Sequence, residues 1–521
     1  MKNDLMKLVF CSTLCFLIFL PYAYQFTAPI NRFLYYYNTT LIFALISTIM
    51  MPALLLFILG LLIERSNLKF KKKLGAAFLV FFALAISCNV GFASERLIVR
   101  FFSNQYKYLS QLISIILLIC LTGTFLYYQE ISKKICINLC KLLCCFFPVF
   151  LFNLFLFSTH EGNRGNLNHL KTNQKTLNKN VFIFVFDEWS YKRSFSNGNL
   201  VKELNNLSKI KDDFLIFHEN YSTFSKTDHS LPAILFEKKQ KWVFHNNKMA
   251  FPKVSSMTYA HKIKNIFSQA KKQNFSTAML GFYLPYASML NNDVDFINSI
   301  SSYNRFGGSF KGLAFEHLRG AAGKTVGLFR KTEINILNEF LYNSHGLKRI
   351  QILDTLVNSI IKFEHSGIFA VIHYPLPHAP FIFNRSGTDS IAKYNISNSD
   401  VERYRGNLEY LDTKISNFVN LLKENGKYEN SLLIFTSDHS WRNDPDFGSG
   451  HFETELGHGN DIKSTKQKFK SDKHLRHVPL FIKAPNLTPG NTNQVFTNYM
   501  IGKLVKQFLD NKKISLFDKK N

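Results

Sequence analysis

Leu432-Leu433-Ile434-Phe435-Thr436-Ser437-Asp438-His439 is the stretch whose reading decides the rest of the chain. Four apolar residues in succession have the pattern of a short strand buried on both faces. Two hydroxyls follow, and then a carboxylate beside an imidazole. In an open parallel α/β sheet, ligands gather at the carboxyl ends of strands. Asp438 and His439 at such an end offer the oxygen and nitrogen donors that zinc or manganese accepts. The same octapeptide also fits a strand-ending turn in which Asp438 caps the next segment. Matching pieces elsewhere in the chain favour the first reading.

Val181–Phe186 (VFIFVF), Phe214–Phe217, Thr277–Phe282, Ile368–Ile372 and Pro479–Ile482 are further short apolar runs suited to buried strands. Helical stretches lie between them, the clearest at 400–424. There Val401, Tyr404, Leu408, Leu411, Ile415, Phe418 and Leu422 recur every three or four residues, and Ser399 with Glu402 suits a capping box. This alternation predicts an α/β domain over 181–521, with a mostly parallel sheet flanked by helices.

The first predicted strand ends in Asp187-Glu188, a second acidic pair at a strand's carboxyl end. Acids gathered beside Asp438 would repel one another unless a cation lay between them, so a metal is the simplest rationale for the set. An N-cap followed by an acid in the first helical turn is the alternative reading of that pair. Next, Asn220–Leu235 carries a run of hydroxyls into a helix whose first turn tolerates Pro232. The N–H groups at such a helix start suit an anionic phosphoryl or sulfuryl group, and a hydroxyl touching a metal can be deprotonated near neutral pH. Thr227 and Ser230 are both candidates for that hydroxyl.

Ahead of this domain the chain is far more apolar. Five segments, approximately 7–26, 39–63, 74–94, 109–128 and 137–157, are long enough to cross a bilayer at roughly 20 residues each. Lys2 and Lys7, the basic cluster at 65–73, and Lys133 with Lys134 place three connecting regions in the cytoplasm by the positive-inside rule. Everything beyond about residue 158 then lies outside, with 159–180 a polar linker along the membrane. All eight cysteines precede residue 146, which excludes a disulfide framework in the outer domain. The net charge of +27 comes from lysines scattered through the whole chain, not from a basic stripe. Attraction to an anionic membrane explains it more simply than nucleic acid, which is not expected as a partner.

In order along the chain stand Asp187-Glu188, Thr227-x-x-Ser230-x-Pro232, His373-x-x-x-x-His378-x-Pro380-Phe381 and Thr436-Ser437-Asp438-His439. Together with Tyr404-x-x-Asn407-Leu408-x-Tyr410-Leu411-Asp412 and His477–Ile482, they resemble the sulfatase branch of the alkaline phosphatase superfamily over about 181–485. With five spans in front, the chain is similar to the lipid A phosphoethanolamine transferases and lipoteichoic acid synthases. That resemblance implies a multi-pass enzyme of the bacterial inner membrane with an extracytoplasmic catalytic domain. Its donor would be a phospholipid, its acceptor an envelope glycan or lipid, and its intermediate a covalent threonine. A hydrolase of sulfate or phosphate esters is the alternative.

By the same resemblance Asp187 or Glu188, Thr227, Asp438 and His439 hold a divalent metal, zinc first with manganese or calcium as alternatives. Thr227 is then the nucleophile, while His373 and His378 bind the transferred group or a second metal, or protonate the leaving oxygen. A further histidine is expected beyond the Asp-His pair. His458 is preferred over His451, with His477 third. Two departures qualify the likeness. Ile234 stands where sulfatases that form formylglycine carry arginine, which leaves Ser230 only as a rival to Thr227. The outer domain also lacks the cysteines of the phosphoethanolamine transferases.

Overall fold

The computed structural model describes residues 2–23, 39–64, 76–93, 107–156, 179–300, 335–387, 400–447 and 469–512, apart from short gaps, and a few residues between them. The chain divides into two compact units. One comprises Met1–Arg32, Tyr36–His160 and Tyr303–Asn335, and the other Phe33–Tyr35, Glu161–Ser302 and Ile336–Asn521.

The second unit is built on an eight-stranded sheet. Its strands are β1 (Asn180–Asp187), β2 (Leu215–Tyr221), β3 (Ser276–Phe282), β4 (Phe296–Ile300), β5 (Ile368–Pro377), β6 (Ser431–Ser437), β7 (Leu480–Lys483) and β8 (Gly490–Thr497). They run in the order β8-β2-β7-β6-β1-β5-β3-β4. Only β7 pairs antiparallel with its neighbours; every other pairing in this sheet is parallel. The centre is β1, every residue of which is buried. Its apolar side chains explain that position. Phe184 stacks on Phe418 at 4.8 Å and packs on Phe435 at 5.3 Å, so β1 is covered on one face by helix Asp400–Glu424. That helix contributes Leu408, Leu411, Ile415, Phe418 and Leu422 to the core. Asp412 on the same helix does not pack there. Its carboxylate accepts the N–H groups of Asn206 at 2.9 Å and Leu207 at 2.7 Å, satisfying the start of another helix.

β1 is also pinned at its start, where Asn180 Oδ1 accepts from the N–H groups of Gly367 (3.0 Å) and Ile368 (3.1 Å) at the head of β5. The register Phe186–Ser437 between β1 and β6 then carries Asp187 and Asp438 to the same end of adjacent strands. Two strands lie outside the sequence expectation, β4 (FINSI) and β8 (GNTNQVFT), and both are sheet edges. Part of the stretch read as a linker is docked onto this unit. Arg164 and Ile297 exchange backbone hydrogen bonds of 2.9 and 2.8 Å against β4.

The first unit contains α1 (Lys2–Ala23), α2 (Thr39–Glu64), α3 (Ala76–Ser87), α4 (Lys107–Tyr127), α5 (Gln129–Leu143) and α6 (Phe146–Leu156). Among the described residues, Ile42–Leu62 within α2 is the one unbroken stretch long and apolar enough to cross a membrane. The fifth expected span, 137–157, is not a straight helix. α5 ends at Leu143 and α6 starts at Phe146, and the chain turns by 117° on leaving α4. The described residues thus show one such span, or two if α4 with α5 and α6 makes a bent one, against the five expected. α5 carries Gln129, Glu130, Lys133, Lys134, Asn138 and Lys141 among its apolar residues, a mix that suits a helix lying at a polar–apolar boundary.

Candidate metal and nucleophile site

Three parallel strands and one helix deliver side chains to one end of the sheet. Asp187 closes β1, Asp438 and His439 follow β6, His373 lies within β5, and Thr227 opens the helix Thr227–Phe236 that follows β2. All five are buried. One ligand atom each from Asp187, His373 and Asp438 lies within 4.8 Å of the other two.

Three of these atoms are orphans. Asp187 Oδ1, Asp438 Oδ2 and His373 Nε2 have no hydrogen-bond partner among the described residues. Buried polar atoms are ordinarily satisfied, so convergent orphans of N and O type fit a divalent cation. The remaining atoms of the same groups are held. Asp438 Oδ1 accepts the N–H of His439 at 2.7 Å and of Glu188 at 3.3 Å. His373 Nδ1 hydrogen-bonds the Tyr286 hydroxyl at 2.9 Å. His439 Nδ1 lies 2.8 Å from the Ser440 carbonyl, so that nitrogen carries the proton and Nε2 presents its lone pair to the site. Nε2 is 3.5 Å from Asp438 Oδ2 and 3.7 Å from Asp187 Oδ1. It also accepts the Thr227 hydroxyl at 3.1 Å.

The electrostatics agree with this geometry. Burial, then the neighbouring Asp438 and Glu188 carboxylates, push the Asp187 carboxyl well above the usual range. Burial lowers His373 to about 4 and also lowers His439, keeping both imidazoles neutral and able to ligate. Glu188 is placed differently from the expectation that it might share the ligand set. Its backbone has φ +65°, and its Oε1 accepts from Arg442 Nε at 2.8 Å. Burial would raise this carboxyl, but His378, Arg442 and His439 outweigh it and hold it at about 2.

His378 lies at the half-buried rim, its N–H bonded to the Asp187 carbonyl at 3.0 Å and its Nδ1 2.6 Å from the Ala379 carbonyl. Ser230 is buried one turn beyond Thr227, and its hydroxyl has no partner among the described residues. The cap position belongs to Lys226 and carries no side-chain cap bond, so Ser230 does not cap this helix. His477 faces elsewhere: its ring stacks on Tyr191 at 4.0 Å and its Nε2 bonds the His218 carbonyl at 2.7 Å. His458 and His451 lie outside the described residues.

Several residues that shape the site were not singled out from the sequence. Arg442 comes three positions after His439 and pairs with Glu188; an arginine that close to an Asp-His pair was the available signal. Tyr286, which orients His373, sits on a four-residue helix and gave none. Asn407, named only within the family pattern, donates to the Pro377 and His378 carbonyls at 3.2 and 3.1 Å and so fixes the loop that presents His378.

A family model described as sulfatase matches residues 179–510. The chain belongs to the sulfatase family and is an enzyme of sulfatase-like type. No curated protein matches it by sequence. Among solved structures it is similar to the phosphonate monoester hydrolase of Agrobacterium radiobacter, at 14% identity over 64% of this chain and 73% of that one, with a TM-score of 0.39. The lipoteichoic acid synthase LtaP from Listeria monocytogenes matches at 15% identity over 68% and 79% of the two chains, TM-score 0.34. A protein of the alkaline phosphatase superfamily from Vibrio parahaemolyticus matches at 12% identity over 67% and 68%, TM-score 0.34.

Proposed function

We propose that this chain is a membrane-bound transferase that moves a phosphoryl-linked group, of phosphoethanolamine or phosphoglycerol type, from a phospholipid donor to an envelope glycan or lipid. The observation that carries the reading is the Thr227 hydroxyl, hydrogen-bonded to His439 at the edge of the orphaned Asp187–His373–Asp438 group. Asp187, His373 and Asp438 would hold a divalent metal, zinc by their donor types, with His439 and Thr227 adjacent. When bound, the cation would lower the pKa of a hydroxyl beside it and screen the acids from one another.

The residues of the chain divide the remaining work. Thr227 Oγ forms a bond to phosphorus as its proton passes to His439 Nε2, its hydrogen-bond partner, and the bond from phosphorus to the lipid oxygen breaks. His378, half-buried at the rim, donates a proton to that departing oxygen. The N–H groups at the start of the Thr227 helix stabilise the anionic group. An acceptor hydroxyl then attacks phosphorus, giving its proton to His378, while the bond from phosphorus to Thr227 Oγ breaks and His439 returns the proton to that oxygen. If water takes the acceptor's place, the enzyme is a hydrolase of phosphate or sulfate esters, a reading that the family match favours to the same degree. Incubating purified enzyme with headgroup-labelled phospholipid, with and without envelope glycan, separates the two. Transfer requires label on the glycan; label released as a soluble ester in both cases would overturn it.

We also place the first unit in the bacterial inner membrane and the second outside it, with working divisions at 1–158, 159–180 and 181–521. Support comes from the apolar Ile42–Leu62 and from the exposed Leu55, Leu59, Leu62, Ile116, Ile119, Val149 and Phe152 on α2, α4 and α6, a greasy surface that water does not favour.

A further inference from the structure

We infer that the first unit holds one anionic phospholipid, distinct from the donor, in a cavity walled by α1, α2, α3 and α5. The inference rests on the reading of this unit as membrane-embedded. The cavity has a volume of about 370 Å³ and an apolar lining that includes Phe10 of α1 and Phe82 of α3. Three lysines stand among the residues around it, Lys7 on α1 and Lys133 and Lys141 on α5. Lys133 and Lys141 are eight residues apart with Ile137 between them, so they share one helical face, roughly 12 Å apart along the axis.

Charge and surroundings select the occupant. Lys7 lies 3.4 Å from Asp4 and Lys133 lies 2.8 Å from Glu130, each pair within one helical turn; such exposed pairs bind weakly. No described carboxylate pairs with Lys141. The opposite face of α5 exposes Ile131, Ile135, Leu139 and Leu142, and Ile137 beside Lys141 is exposed as well. An ammonium set in an apolar belt at a membrane boundary is best satisfied by a lipid phosphate, while its methylene stem stays on apolar surface. The aromatic and aliphatic walls then take an acyl chain. A zwitterionic lipid would fill the same walls but would leave the excess positive charge uncompensated.

Gly60 supplies the probe. It lines the cavity, and a Cβ built on it meets nothing within 4 Å, so Gly60→Leu should fold while filling the space. The full-length protein would be reconstituted in nanodiscs of phosphatidylcholine with graded phosphatidylglycerol, re-extracted, and its retained lipid quantified by native mass spectrometry. Wild type should keep one phosphatidylglycerol per chain, with about tenfold preference over phosphatidylcholine, about 1.4 kcal/mol. Lys133→Gln with Lys141→Gln should abolish the preference, Gly60→Leu should abolish retention of either lipid, and Thr227→Ala should retain as much as wild type. Equal retention of both lipids by wild type, or unchanged preference in the double variant, would overturn the inference. Loss of the lipid in Thr227→Ala would assign it to the catalytic centre and do the same. Carbonate washing of membranes separates the failures: a protein released by carbonate sinks the membrane reading, whereas one retained without lipid preference sinks only this site.

Discussion

Thr227 and Ser230 lie one helical turn apart, yet their hydroxyls are used differently. Thr227 Oγ1 donates to His439, whereas the Ser230 hydroxyl is buried with no described partner. Thr227→Ala should abolish turnover and leave folding intact, measured by activity and thermal unfolding together. Ser230→Ala should keep activity and, by removing an unsatisfied buried group, should raise stability by about 1 kcal/mol. A clear loss of stability in Ser230→Ala would show that the hydroxyl has a partner. At the metal group the sign is more telling. Asp187 and Asp438 face each other across a buried space, so Asp438→Asn should stabilise the metal-free protein while destroying activity. A fall in metal-free melting temperature would contradict the arrangement. Asp187, Asp438 and His439 were legible as candidates because each ends an apolar run. The roles of His373 and Glu188 were not. Only the bulge after Phe186 and the left-handed backbone at Glu188 turn one acid inward and send the other to Arg442.

Buried strands announced themselves as elements because their apolar runs are continuous, as in β1, β5 and β6. The edge strands β4 and β8 did not. An edge needs one covered face at most, and β8 keeps Gln494 and Val495 exposed, so its polar sequence reads as loop. That 129–136 belongs to the helix α5 was hidden for a related reason: its polar residues read as a loop between two spans. Beyond β6, the segment holding His439 is anchored by a buried charge pair. Arg193 Nε donates to Asp444 Oδ2 at 2.8 Å, and Asp444 is buried. The guanidinium also lies over Trp441 at 5.7 Å, and Trp441 stacks on Tyr404 at 4.3 Å. Arg193→Ala leaves that carboxylate unpaired and should cost about 3–5 kcal/mol. Denaturant unfolding checks it, and a cost below about 1 kcal/mol would mean that Asp444 is solvated.

For the whole molecule, a metal held by the proposed group would couple catalysis to stability. A chelator should lower the melting temperature, because a cation present at a thousand times its dissociation constant contributes about 4 kcal/mol; an unchanged melting temperature would mean that no ion is held. Topology is read separately. A periplasm-active reporter fused after Lys179 should be active, and a cytoplasm-active one silent. The central claim is that the transferred group passes through Thr227, and one peptide decides it. Cleavage after Lys226 and Lys238 releases Thr227–Lys238, which contains both candidate hydroxyls. After acid quenching of enzyme turning over phospholipid, fragment-ion mass spectrometry of that peptide should locate the phosphoryl-linked mass on Thr227. The adduct on Ser230, or an unmodified peptide from enzyme that is demonstrably turning over, would contradict the account.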